Sequence, residues 1–190
     1  KLQKENLQLT LFSRETPLPN RIALKKDVGR KMLNGGIKDI ALLYVDIDNF
    51  RYIHVIEDHE YADLVLYKVS ERLITLSQPK GKVYHLSEDK FVVLFPDTGQ
   101  KGIGEIMAAN ILAGFKERFE ILGNELYINL SIGIVEHPPA DMTIEKIITA
   151  AQIAMYHAKE VGKNYYYVYK PDLSLDLEKR TNIQNHLRLA

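Results

Sequence analysis

Apolar residues recur along this chain in two rhythms, one of strands and one of helices. Residues 40–45 form a nearly unbroken apolar run of strand length, expected at the centre of a sheet with both faces covered. Residues 129–135 read as a second core strand, and 165–169 as the last one. Between them, aromatic and β-branched residues flank Ser87, Glu88, Asp89 and Lys90, which predicts a strand, a polar turn and a returning strand ending at Phe95. A short strand pair is expected across 122–125.

The helical rhythm begins at Asn20, a candidate N-cap for a helix to Leu33 with Ile22, Leu24, Val28 and Met32 on its apolar side. A short helix is expected over 49–56, a longer one over 61–76, and another over about 103–119. Asp141 or Thr143 caps a further helix that runs to Val161, where Gly162 stops it. Before all of these, Leu2, Leu7, Leu9 and Leu11 suggest a helical lead-in, broken where Pro17 and Pro19 force extended backbone. The order of elements predicts an α+β fold, a mostly antiparallel central sheet flanked by helices.

Composition narrows the function only a little. The chain has 190 residues, enough for one domain with appendages, and is 46% hydrophobic and 26% charged. Its 25 Lys and Arg balance 25 Asp and Glu, so no global field favours nucleic acid or an anionic membrane. It has no cysteine, which excludes disulfides, thiolate metal sites and cysteine nucleophiles. No apolar run reaches the roughly 18 to 20 residues of a membrane span.

The candidate chemistry sits at two acidic strand ends. Asp46 and Asp48 close the apolar run, and Glu88 and Asp89 lie in the polar turn; carboxylates from two such ends are able to share a divalent ion. Taken alone, a polar turn is most often just a solvated turn. His85 and His157 show no metal-ligand spacing with another histidine. The tyrosines 165, 166, 167 and 169 suit a base-stacking platform, but strand alternation explains them equally well.

Four blocks in order and spacing, 18–21, 46–51, 87–91 and 158–164, resemble the GGDEF domains, the diguanylate cyclase domains of bacterial second-messenger signalling, over about residues 13–170. The resemblance implies a palm-like fold, similar to the ferredoxin-like and nucleotide-cyclase folds. It also implies a bacterial cytoplasmic setting, GTP as ligand with magnesium, and a homodimer in which two GTP become cyclic di-GMP. On the matching positions, Asp46, Ile47 and Asp89 correspond to metal-binding residues. Phe50, Arg51, His54, Asp63, Lys159 and Lys163 correspond to nucleotide-binding residues, with His54 in place of a guanine-reading asparagine. His59 matches a histidine expected to support helix packing.

Departures from the family pattern fall on chemistry rather than fold. The signature Gly-Gly-Asp-Glu-Phe is here Ser87, Glu88, Asp89, Lys90 and Phe91. Ser87 and Glu88 fill space that paired glycines leave open, and Lys90 puts an ammonium where a metal-ligating carboxylate belongs. An Arg-x-x-Asp that holds cyclic di-GMP in the family corresponds to Gln78 and Gly81, so that site is not expected. Two classes stay open: a catalytically degenerate regulatory domain, still binding GTP, and a weakly active cyclase. The expected layout is a lead-in over 1–13, a GGDEF-like domain over 14–172, and a linker over 173–190. In that linker Ile183, Leu187 and Ala190 make an apolar stripe resembling the entry to an EAL phosphodiesterase domain, a partner expected in cis.

Overall fold

The computed structural model describes residues 10–33, 36–56, 59–96, 99 and 101–173. Most of the lead-in expected over 1–13, and the stripe of Ile183, Leu187 and Ala190, lie outside them. In chain order come α1 (Arg21–Leu33), a 3-10 turn (Gly36–Asp39), β1 (Ala41–Ile47), α2 (Phe50–Ile56), α3 (His59–Ser77), β2 (Lys82–Ser87) and β3 (Lys90–Phe95). They are followed by α4 (Ile103–Gly114), β4 (Phe119–Ile121), β5 (Asn124–Leu126), β6 (Leu130–Glu136), α5 (Ile144–Val161) and β7 (Tyr166–Val168).

Five strands make the main sheet in the order β2-β3-β1-β6-β7, and β4 pairs with β5 apart from it. The pairs β2–β3, β3–β1 and β1–β6 are antiparallel, while β6–β7 is parallel. The run that begins at Ile40 is the central strand, and all seven residues of β1 are buried. Alternation along the strands sorts the core into two layers. Leu43, Val45, Phe91, Val93, Ile132 and Ile134 face α3 and α4 through Val65, Leu66, Val69, Leu73, Ala108 and Ile111. Leu42, Tyr44, Val92, Leu94 and Val135 face α1 and α5 through Leu24, Val28, Ile147, Ile148, Ala151 and Met155. Each such Val, Leu, Ile, Phe or Met side chain contributes about 1.5–3 kcal/mol when taken from water into this interior.

Helix ends follow local rules. Asn20 Oδ1 accepts from the backbone N–H of Ile22 at 2.9 Å and of Ala23 at 3.2 Å, as an N-cap should. Thr143, rather than Asp141, caps α5, its side chain accepting from Lys146 N at 3.3 Å. Helix α4 ends at Gly114, well short of the expected residue 119. Phe115 turns into the core, and Phe119 is taken by β4, where it pairs with Leu126. Arg72 holds that corner: its guanidinium donates to the carbonyls of Glu117 (2.5 Å) and Arg118 (3.0 Å) and lies 3.4 Å from the Phe119 ring centroid.

The segment before α1 doubles back on itself. Ser13 N donates to Leu18 O and Asn20 N to Leu11 O, while Leu18 is buried and Phe12 bridges Pro19. The sheet edge at β2 meets this segment where His85 N donates to Pro19 O at 2.9 Å. Among the described residues, no helix is long and apolar enough to cross a membrane.

Candidate functional site

The site lies at one end of the sheet, on the face covered by α5. Register places Asp46 of β1 directly across from Lys90 of β3 on one side and Ser131 of β6 on the other. The hairpin turns tightly there: Ser87 pairs with Lys90, and Glu88 and Asp89 form the two-residue tip. Glu88 sits at φ 43°, a left-handed conformation that is costly for a residue with a Cβ. The tip is fastened to β1 by a bond from Ile47 N to Asp89 O at 3.1 Å.

Lys159, on the last turn of α5, reaches across the sheet and donates to Asp46 Oδ1. Lys90 Nζ donates to Asp89 Oδ1 at 2.6 Å. Asp46 is nearly inaccessible, with 4% of its side chain exposed, whereas Lys159 keeps 26%. Burial pushes the Asp46 carboxyl above the usual carboxylate range; the Lys159 bond opposes this and neighbouring Asp89 adds to it. Burial works to lower the Lys90 ammonium, but Asp89 and then Asp46 outweigh it and hold it above its ordinary value.

Asp48, its sequence twin, does different work. Its Oδ1 accepts from Ser131 Oγ at 2.8 Å and its Oδ2 from Asn164 N at 3.0 Å, so it ties β1 to β6 and to the turn after α5. That turn is tight, with Gly162, Lys163 and Asn164 all at positive φ. Lys163 Nζ donates to Asn49 Oδ1 at 2.7 Å. The acidic strand end is therefore split between one carboxylate facing two lysines and another fixing the scaffold.

Of the remaining expected positions, Phe50 and Phe91 are buried core residues and Ile47 packs its side chain inside. Arg51 is exposed on α2 and Asp63 is exposed on α3. The side chain of His54 lies outside the description, and His59 is exposed at the first position of α3. Sequence reasoning gave His85 no role, yet it is 2% exposed and stacks on Phe91 with ring centroids 4.6 Å apart. Its Nδ1 shares a 2.7 Å hydrogen bond with Ser13 Oγ, and its Nε2 one of 2.7 Å with Glu88 O. The signal that finds it is its place in an apolar strand, two residues before Ser87.

Two positions carry a further constraint. A Cβ at Gly81 would meet Phe95 at 2.6 Å and Ser77 at 2.7 Å, so the packing leaves no room for a side chain there. The donor set around Asp46 also does not fit magnesium. Both carboxylates already have an ammonium partner, and a divalent ion would stand beside Lys90 and Lys159. Among the described residues, no three His, Cys, Asp or Glu side chains gather to hold a metal ion.

A five-stranded sheet of this topology flanked by helices, with a polar hairpin tip beside the buried Asp46, defines a palm-like α+β class. The family model described as "Diguanylate cyclase, GGDEF domain" matches residues 14–165, and the chain belongs to that family. It is 28% identical over 190 residues to the bifunctional diguanylate cyclase/cyclic di-GMP phosphodiesterase MucR of Pseudomonas aeruginosa, covering 98% of this chain and 27% of that protein. It is 29% identical over 175 residues to the cyclic di-GMP phosphodiesterase PdeR of Escherichia coli, covering 92% and 26%. The chain thus spans about a quarter of the length of these curated relatives. Among solved structures, the GGDEF domain of PA1120 (TpbB or YfiN) from Pseudomonas aeruginosa superposes with a TM-score of 0.78 at 24% identity, covering 88% of this chain and 99% of that one. An EAL/GGDEF domain protein from M. capsulatus matches at 34% identity and a TM-score of 0.65, covering 70% and 85%. The palm-like fold is that of these neighbours, and the setting is cyclic di-GMP signalling.

Proposed function

We propose that this domain has lost cyclase turnover and serves as a regulatory module, binding GTP and acting on an EAL phosphodiesterase domain in the same polypeptide. The observation that carries this reading is Lys90: its ammonium stands across from Asp46 and is paired with Asp89. Attack of a 3′-hydroxyl on an α-phosphate needs a metal to take the proton's place on the oxygen and to steady charge on the phosphoryl group. Here the two carboxylates suited to hold that metal are neutralised from within the protein. Glu88, exposed at the tip, adds negative charge on the approach of a triphosphate.

Phosphate binding is supported by what remains. Lys159 and Lys163 bracket the end of α5, and Arg51 is exposed near the start of α2. Relatives named for phosphodiesterase activity support the partner in cis. The test is chromatographic: protein incubated with GTP and magnesium yields no cyclic di-GMP, because loss of a charge-stabilising group commonly costs on the order of a hundredfold or more in rate. Product at the rate of an intact family cyclase would establish the enzyme reading instead. In the full-length protein, GTP changes phosphodiesterase activity relative to the nucleotide-free state; identical activity would sink the regulatory part.

A further inference from the structure

We infer that Lys90 is a resident cation in the place of a divalent ion, so that the site takes the phosphates of a nucleoside di- or triphosphate without metal. The phosphate half of this inference rests on the nucleotide reading above; the resident-cation half stands on the geometry alone.

That geometry is a closed set of charges. Asp46 is bonded by Lys159 from α5, and Asp89 in the hairpin tip by Lys90, the first residue of β3. Asp46 and Lys90 are direct cross-strand partners, so the two ion pairs lie side by side rather than at separate places. Two carboxylates and two ammoniums cancel. Both carboxylates are mostly covered, with 4% and 17% of their side chains exposed, while the two lysines keep 26% and 25%. Asp46 is the buried member of this set, while Asp89 and both lysines stay partly exposed, so the two ammoniums are within reach of whatever enters.

A metal ion and a phosphate meet this set with opposite results. A dication would have to displace an ammonium from an oxygen and would then be repelled by it at short range, where screening is weakest. A phosphate that passes the exposed Glu88 finds two ammoniums, one held by the buried Asp46 and the other by the partly exposed Asp89. An ammonium carries three donors, and Lys90 and Lys159 each have one committed in the bonds described, which leaves donors for phosphate oxygens. Lys163, oriented through Asn49, stands next along the same end of α5. In this arrangement the protein's own cations do the neutralising that magnesium does for a free nucleotide.

The experiment uses the whole chain and two probes, manganese and GTP. Manganese is titrated alone and followed by electron paramagnetic resonance. Wild type shows no saturable site, Lys90→Glu gains one, and Lys90→Met, which removes the charge without adding a ligand, does not. GTP affinity is measured by calorimetry with magnesium or with EDTA. Wild type binds equally in both, while both variants lose about tenfold or more in EDTA; magnesium restores the Glu variant only. Saturable manganese binding to wild type, or wild-type GTP binding that is about tenfold weaker in EDTA, overturns the inference. Absence of GTP binding under both conditions ends the nucleotide reading and the phosphate half with it, and the manganese comparison then decides the resident-cation half by itself. Circular dichroism of both variants establishes that they are folded.

Discussion

Asp46 and Asp48 show how far single residues could be read. Two aspartates in one strand end look equivalent in sequence, and only the family resemblance singled out Asp46, leaving Asp48 without a role. The split comes from partners far along the chain, Lys159 for one, and Ser131 with Asn164 for the other, which no local pattern reveals. Asp48→Ala leaves a buried hydroxyl and a backbone N–H without an acceptor, a loss of about 2–4 kcal/mol in urea unfolding; a change near zero would show that Asp48 is not fixing the scaffold. His85 offers a second test. Burial holds its imidazole below the ordinary 6.5, against the opposing pull of the Glu88 carbonyl, Glu15 and Asp89. The unfolded chain therefore binds the extra proton between the depressed folded value and 6.5, and stability falls as pH drops through that window. The melting midpoint should fall further in wild type than in His85→Gln between about pH 7.5 and 5.5; parallel falls would remove His85 from the account.

At the scale of elements, types and order were legible and boundaries less so. The run at β1 announced a strand covered on both sides because nothing polar interrupts it, and Asn20 marked the start of α1 by its own capping chemistry. The end of α4 was missed because residues 115–119 keep apolar side chains at helical spacing, while their fate is set by Arg72 on another helix. Arg72→Ala should therefore loosen the β4–β5 hairpin, costing about 1–2 kcal/mol through two lost hydrogen bonds to exposed carbonyls and a bared Phe119 ring. Hydrogen exchange at β4 and β5 checks it, and protection unchanged there would refute it. Among the described glycines the tightest space is at Gly133, where an added Cβ would lie 1.8 Å from Ala151 O and 2.3 Å from Met155 N of α5. Gly133→Ala forces α5 off the sheet, with an expected loss of about 3 kcal/mol or more. The same variant should weaken Lys159 on Asp46, since α5 carries that lysine.

For the molecule as a whole, the two core layers share one sheet, and the strands between them cannot be lost to one layer alone. Leu42→Ala and Leu43→Ala open cavities on opposite faces of β1, each costing about 2–5 kcal/mol, and both should lower a single transition seen alike by fluorescence and circular dichroism. Two separated transitions would mean that the layers unfold independently. The family was legible from four short blocks, because their order reports a topology and not only a composition. What the blocks could not report was the wiring beneath the signature. Ser13 reaches Glu88 through one imidazole, by two hydrogen bonds of 2.7 Å, and the same strand is pinned to Pro19 by its backbone. Residues upstream of α1 thus pull on the signature turn through a link with almost no slack. A shift at Ser13 is therefore two hydrogen bonds away from the backbone of Glu88, and strain in that turn has the same short line back.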